Sequence, residues 1–310
     1  MQTWTRRTFL QSAGKFGLVA SVGAQLPRLG KADAMGLPPA IQLYSVRNDL
    51  AKDTPVALKQ LHSIGFVEVE TAGFGNYSAK EFRALLDDAG LRAPSAHLKL
   101  TLNNNAALFD DAHTIGAQFA TSSSLQTALH PPSAAGLAPG QRPAMAPLGP
   151  DDFMKLADAM NEIGAEAKAA GLRYAYHNHN YEFQKMPDGT YGYDILLSRT
   201  DPDLVKFEID CGWMCAAGAD PVTYMNQHSG RFRMIHIKEF QPLNAPSTSL
   251  SGPWRPKGTD LGDGFIDYKR IFAVGKTAGI EHAFSEQEDP FPVSQMASAE
   301  AAFRFLHQAS

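Results

Sequence analysis

Tyr174-Ala175-Tyr176-His177-Asn178-His179-Asn180-Tyr181-Glu182-Phe183 is the stretch on which the reading of this chain turns. A short β-run gives way here to a loop crowded with two histidines and a glutamate. Just upstream, residues 156–171 carry an Ala-rich helical pattern closed by Gly171. A helix, a strand and a polar loop in that order make the unit at which α/β proteins keep their chemistry.

The same unit repeats on both sides. Strands are expected at 40–46, 66–70, 91–98, 118–122, 204–210, 232–238 and 280–286, with the quoted stretch as the fifth of eight. Helical patterns lie between them at 54–64, 78–89, 105–115, 151–170, 191–198, 220–228, 267–278 and 293–306. Gly65, Gly90 and Gly279 stop three of these helices, and Ser78 with Glu81 forms a capping box at the start of one. Regular alternation of this kind requires parallel strands with crossover helices. Eight units in this length fit a closed single (β/α)8 TIM barrel better than an open doubly wound sheet. Residues 123–150, rich in Ser, Ala, Pro and Gly, read as an inserted loop, because the alternation resumes unchanged behind them. A second Pro/Ser-rich loop covers 241–259.

The chain has 310 residues, 44% hydrophobic and 19% charged. It contains no apolar run long enough for stable membrane insertion. At the N-terminus, Arg6-Arg7 precedes a modest apolar stretch at 16–26 and then Ala32-Asp33-Ala34. That order reads as a twin-arginine signal over residues 1–34, with the barrel over 35–310, export to the periplasm, and the twin-arginine machinery as a partner. The leader holds Arg6, Arg7, Lys15, Arg28 and Lys31 against Asp33, so removing its +4 from the whole-chain −4 leaves −8. No basic, aromatic-interleaved stripe survives to bind nucleic acid. No Gly-x-Gly-x-x-Gly follows the first strand and no Gly-Lys-Ser/Thr loop occurs, so a nucleotide has no support. Cys211 and Cys215 do not make a zinc-ribbon pattern and read as two buried or partly buried thiols.

In a parallel barrel, functional groups stand at the carboxyl ends of strands. His177, His179 and Glu182 arrive there from strand five, Glu208 and Asp210 from strand six, His236, Lys238 and Glu239 from strand seven, and Glu286 and Glu288 from strand eight. His97, Gln42, Tyr44 and Glu70 come from the first three. Carboxylates and imidazoles from four successive strands are mutually costly in a closed cavity without a compensating cation. A divalent metal ion (Mn, Co, Fe, Mg or Zn) in a mixed oxygen and nitrogen site resolves that cost.

The runs Ile-Gln-Leu-Tyr-Ser-Val-Arg (41–47), Tyr-His-Asn-His-Asn-Tyr-Glu-Phe (176–183), Phe-Glu-Ile-Asp-Cys-Gly-Trp (207–213), His-Ile-Lys-Glu (236–239) and Ser-Glu-Gln-Glu (285–288), taken in order, resemble the sugar phosphate isomerase/epimerase family. That resemblance covers residues 40–308 and implies a xylose-isomerase-like barrel holding one metal ion by Glu, Asp, His and Glu. Carried over by motif, the ligands are Asp210, His236 and Glu286, with Glu182 as the fourth and His177 as its alternative. This sequence departs from the family there, with a histidine at the end of strand five where many members have glutamate.

The chemistry implied is proton abstraction α to a carbonyl of a sugar or keto-sugar, through an enediolate, giving isomerisation or epimerisation. Glu286 is the expected base, Glu182 or His179 its counterpart opposite, and Lys238 the group that steadies oxyanion charge. His97, His177, Glu70, Tyr44 and Trp213 are expected to contact the carbohydrate. A lyase or hydrolase acting on 3-keto-glycosides shares the same enediolate and stays open. So does a non-catalytic exported sugar-binding protein, and the chain is compatible with a homo-oligomer.

Overall fold

Eight parallel strands close on themselves in sequence order, with β1 (Ala40–Gln42) hydrogen-bonded to β8 (His282–Glu286) as well as to β2 (Glu68–Thr71). Between them run β3 (Arg92–His97), β4 (Phe119–Ser122), β5 (Arg173–His177), β6 (Val205–Asp210) and β7 (Phe232–Lys238). The computed structural model describes residues 33–131 and 147–308. The expected single (β/α)8 barrel is thus the fold, and no helix among the described residues is long and apolar enough to cross a membrane.

Local chemistry sets the helix ends. Ser78 Oγ accepts from the Glu81 N–H while the Glu81 carboxylate accepts from the Ser78 N–H, so the capping box opens the helix Ala79–Ala89. Gly90, at φ 75°, closes that helix in a left-handed conformation that a side chain resists. Most of the apolar mass lies between strands and helices, where Ile41, Val69, Tyr174, Tyr176, Phe207, Ile209, Ile235 and Ile237 face outward.

Four details differ from the sequence reading. β1 stops at Gln42, because the Gln42 side chain accepts from the Tyr44 N–H and turns residues Leu43–Val46 into a 3-10 helix. Loop 123–150 is not structureless throughout: Gln126–Leu129 is a short helix, and residues 132–146 lie outside the described part. β6 runs straight into a helix, Cys211–Ala216, started when Asp210 Oδ1 accepts from the Trp213 N–H at 2.8 Å. Asp33 and Ala34, assigned to the leader, are buried against the barrel, with Asp33 Oδ1 accepting from the Met35 and Leu37 N–H groups. The twin arginines lie outside the described residues. Cys211 is buried and Cys215 half-buried, both as free thiols.

Candidate active site

Side chains alternate across a strand, so residues two apart face the same way. Ala40, Phe119, Ala175, Met234 and Phe284 meet inside the barrel as a buried apolar floor. Two positions further along the same strands stand Gln42, Thr121, His177, His236 and Glu286. The polar site is therefore built directly on a hydrophobic plug, and register sets its levels. His177 pairs in register with Glu208, Asp210 with His236, and Lys238 with Glu286.

The lower level is a hydrogen-bonded mesh around two fully buried carboxylates. Glu70 Oε2 faces His236 Nε2 at 2.7 Å and His97 Nε2 at 3.1 Å, and accepts from Gln42 Nε2 at 2.7 Å; Ser95 Oγ donates to its other oxygen. Glu208 Oε2 faces His177 Nδ1 at 2.9 Å, His97 Nε2 at 2.8 Å and His236 Nε2 at 3.2 Å. Burial opposes charge on His97, but the Glu70 and Glu208 carboxylates outweigh it and raise that imidazole to about 10. Glu70 is held well below the ordinary carboxylate range, its burial overcome by His97 and His236.

The upper level carries the other ring nitrogens. His177 Nε2 lies 3.7 Å from Asp210 Oδ2, and His236 Nδ1 lies 3.9 Å from the same oxygen and 2.8 Å from Glu286 Oε2. These four donor atoms lie within 4.8 Å of one another. Lys238, 1% exposed, brings its ammonium to 3.0 Å from Asp210 Oδ2, 2.8 Å from Glu286 Oε2 and 3.2 Å from Glu288 Oε1. It lies 4.9 Å from the centre of the Trp213 ring, a face that favours a cation. Arg255 completes this side with a 2.6 Å ion pair to Glu288.

A cavity of about 470 Å3 opens onto this level, lined by Tyr44, His97, His177, His179, Lys238 and Glu286 among others. Glu288, placed at the end of strand eight from sequence but given no role there, lines it as well, as do Lys99 and Asp111, which the sequence reading did not single out. Glu288 was legible by parity, two positions beyond Glu286. His179 is neutral, its pKa pushed down to about 3 by burial and then by the Lys238 charge, and its Nδ1 has no hydrogen-bond partner.

Three expected residues stand elsewhere. Glu182 sits in the 3-10 turn Tyr181–Phe183, where it accepts from the Tyr176 hydroxyl at 2.9 Å and the His179 N–H at 3.0 Å. It is not among the donors that gather in the cluster, where His177 stands with Asp210, His236 and Glu286. Burial raises Glu182 to about 7, against the backbone N–H of His179. Glu70 is a buried member of the lower mesh and does not line the cavity. Trp213, 1% exposed, lies between Lys238 and Phe240 as support for the site.

The donor set fits a divalent ion. Tetrahedral ligands about 2.1 Å from a metal are about 3.4 Å from one another, and the measured separations of 2.8, 3.7 and 3.9 Å bracket that value. Asp210 Oδ2 is buried and accepts no hydrogen bond of good geometry, although Lys238 stands beside it as an ion-pair partner. Glu70, Glu208, Asp210, Glu286 and Glu288 are all buried, against Lys238, Arg255 and the imidazoles of His97 and His236, which these carboxylates hold in their charged forms, so the negative groups still outnumber the positive ones. An added dication offsets that excess.

A family model described as xylose isomerase-like TIM barrel matches residues 58–306. An inosose dehydratase from Lacticaseibacillus casei is 28% identical over 167 residues, 50% of this chain and 54% of that protein. The chain thus spans about half the length of the curated relatives it matches. A sugar phosphate isomerase/epimerase from Parabacteroides distasonis superposes with a TM-score of 0.68 at 25% identity, covering 89% of this chain and 94% of that one. A barrel protein from Mycobacterium smegmatis, solved in complex with magnesium, shares the fold at a TM-score of 0.61 and 18% identity, with 89% and 99% covered.

Proposed function

The chain belongs to the xylose isomerase-like TIM barrel family, and from that premise we propose that it is a divalent-metal-dependent enzyme abstracting a proton α to the carbonyl of a keto-sugar. The observation that carries this reading is the cluster of His177, Asp210, His236 and Glu286 at the mouth of four adjacent strands, beside a cavity of sugar-sized dimensions. A bound ion supplies Lewis-acid polarisation of a carbonyl there, with His177, Asp210, His236 and Glu286 holding it.

The remaining work falls to the chain's own groups. His179 lines the cavity with a neutral imidazole whose buried Nδ1 has no hydrogen-bond partner, and it is our candidate to take the proton, with the Glu286 carboxylate as the other. As the C–H bond breaks, its electron pair moves into a C=C bond and the carbonyl oxygen gains charge, which the Lys238 ammonium stabilises. Returning the proton to the opposite face gives an epimer, and returning it to the neighbouring carbon after proton transfer between the oxygens gives an isomer. If the β carbon carries a hydroxyl or alkoxyl group, that group leaves with a proton and the product is an enone. The inosose dehydratase relatives favour this elimination branch. Export by a twin-arginine leader belongs to the same proposal.

Incubation of metal-loaded protein with keto-sugars in D2O, followed by NMR, tests the reading. Solvent deuterium at the α carbon, or release of the β substituent, is expected. Turnover of a substrate without either overturns it.

A further inference from the structure

His177 and His236 each present one ring nitrogen to the upper donor cluster and the other to a buried carboxylate of the lower mesh. His177 offers Nε2 toward Asp210 and Nδ1 to Glu208 at 2.9 Å; His236 offers Nδ1 toward Glu286 and Nε2 to Glu70 at 2.7 Å. Four donors of the lower level, among them two of the same side chains, also lie within 4.8 Å of one another, so two sites compete for one ion: His97, His177, Glu208 and His236 below, or His177, Asp210, His236 and Glu286 above.

Resting on the metal-dependent reading above, we infer that the ion goes to the upper level alone, and that Glu208 and Glu70 are positioning residues that fix which nitrogen of each imidazole points at it. Three imidazole nitrogens converge on Glu208 Oε2, from His97, His177 and His236, and Glu70 is claimed at both oxygens by Gln42, Ser95, His97 and His236. An ion below would have to displace the imidazole nitrogens already gathered on Glu208 Oε2 and the donors on both oxygens of Glu70, with Glu208 Oε1 alone left unclaimed. A metal-bound histidine characteristically donates its other N–H to a carboxylate, which fixes the tautomer and raises ligand basicity. With Nδ1 of His177 held by Glu208 and Nε2 of His236 held by Glu70, the free lone pairs are His177 Nε2 and His236 Nδ1. The first lies on the side of Asp210, the second on the side of both Asp210 and Glu286. His97 belongs to the lower set alone, and with the ion above it ligates nothing and ties the two carboxylates together from β3.

The test uses full-length protein and Co2+ alone. Ion number per chain, affinity by competition with a chromophoric chelator, and the visible spectrum of the bound Co2+ are compared for wild type, Glu208→Gln and Glu70→Gln. One ion per chain is expected in all three, with affinity about 10- to 100-fold weaker and a shifted spectrum in each variant. Thermal unfolding shows that the variants are folded, and Glu208→Ala, which removes the acceptor entirely, is expected to lose more affinity than Glu208→Gln. Two ions per wild-type chain, or variants matching wild type in affinity and spectrum, overturn this assignment and leave the metal-dependent reading intact. A wild-type chain that takes up no Co2+, Mn2+ or Zn2+ overturns both.

Discussion

Replacing Lys238 by methionine removes the ammonium and keeps most of the side-chain volume. In the ion-free protein that ammonium is 1% exposed and lies within 3.2 Å of three carboxylates, those of Asp210, Glu286 and Glu288. At an effective dielectric near 20, each contact near 3 Å is a gross attraction of roughly 5 kcal/mol. Desolvation of the buried ions cancels much of that sum, and breaking such a network by removing one partner costs about 3–5 kcal/mol. At about 2 °C per kcal/mol for a domain of this size, the chelator-treated variant unfolds roughly 6–10 °C below wild type. A divalent ion answers the same uncompensated carboxylates. Saturation at about 100 times the dissociation constant returns about 2.7 kcal/mol, and the ion binds the variant more tightly because a like-charged neighbour is gone. Scanning calorimetry of both proteins with chelator and with excess Zn2+ measures all four values. The reasoning fails if the chelated variant melts with wild type, or if Zn2+ raises the variant less than it raises wild type.

Other expectations are independent of that one. His177→Ala lowers Zn2+ affinity by more than about 100-fold, whereas Glu182→Gln leaves ion content unchanged, as read by metal analysis after dialysis; the reverse pattern restores Glu182 as the ligand. Burial raises the buried Glu239 carboxyl to about 7 from an ordinary 4.5, against backbone N–H donors including Phe240, Phe265 and Ile266. Between those values the native state holds a proton that the unfolded chain has lost, so its contribution to stability falls as pH rises from 4.5 to 7, by roughly 3 kcal/mol. The stability advantage of wild type over Glu239→Gln in urea therefore shrinks across that window, and parallel curves refute it. Gly212 leaves no room for a Cβ, which would stand 2.7 Å from the Lys238 carbonyl oxygen and 2.8 Å from Lys238 Cβ. Gly212→Ala accordingly costs about 1–3 kcal/mol in denaturant unfolding and displaces the lysine, and an unchanged midpoint speaks against so tight a fit. Changing Arg6 and Arg7 together to lysine keeps the protein in the cytoplasm, and periplasmic accumulation of that variant, read by fractionation, removes the export proposal.

The barrel was legible because strand and helix signals alternate and each stop carries its own chemistry, as at Ser78 and Gly90. The shortened β1 was not: Leu43, Tyr44 and Val46 are as apolar as a strand, and only the Gln42 side chain bonding the Tyr44 N–H turns the chain. Asp210, His236 and Glu286 are brought together because Asp210 and Glu286 end their strands and His236 stands in register with Asp210 near the end of the strand between them. Glu182 and His177 show where reading by residue type goes astray. A carboxylate looks the better match for a metal, but Glu182 lies beyond the strand, on a turn that folds it back on Tyr176. His177 has the parity of Ala175 in the barrel floor, and that period of two also marks Glu208 with Asp210, and Glu70 with Glu68. Trp213 was misplaced because a helix begins at once after β6 and tucks the indole beneath Lys238.

The apolar floor has a kinetic consequence. Ala40, Phe119, Ala175, Met234 and Phe284 stop the barrel below the site, and Asp210 and His236 are fully buried while Glu286, His177 and His179 line the cavity. Among the described residues, the cavity above that floor is the wide opening onto the innermost groups. On the proposed function, a cation held there would arrive before the sugar and depart after the product, giving an ordered binding sequence. Bound sugar then slows escape of the ion to a chelator, without any moving part.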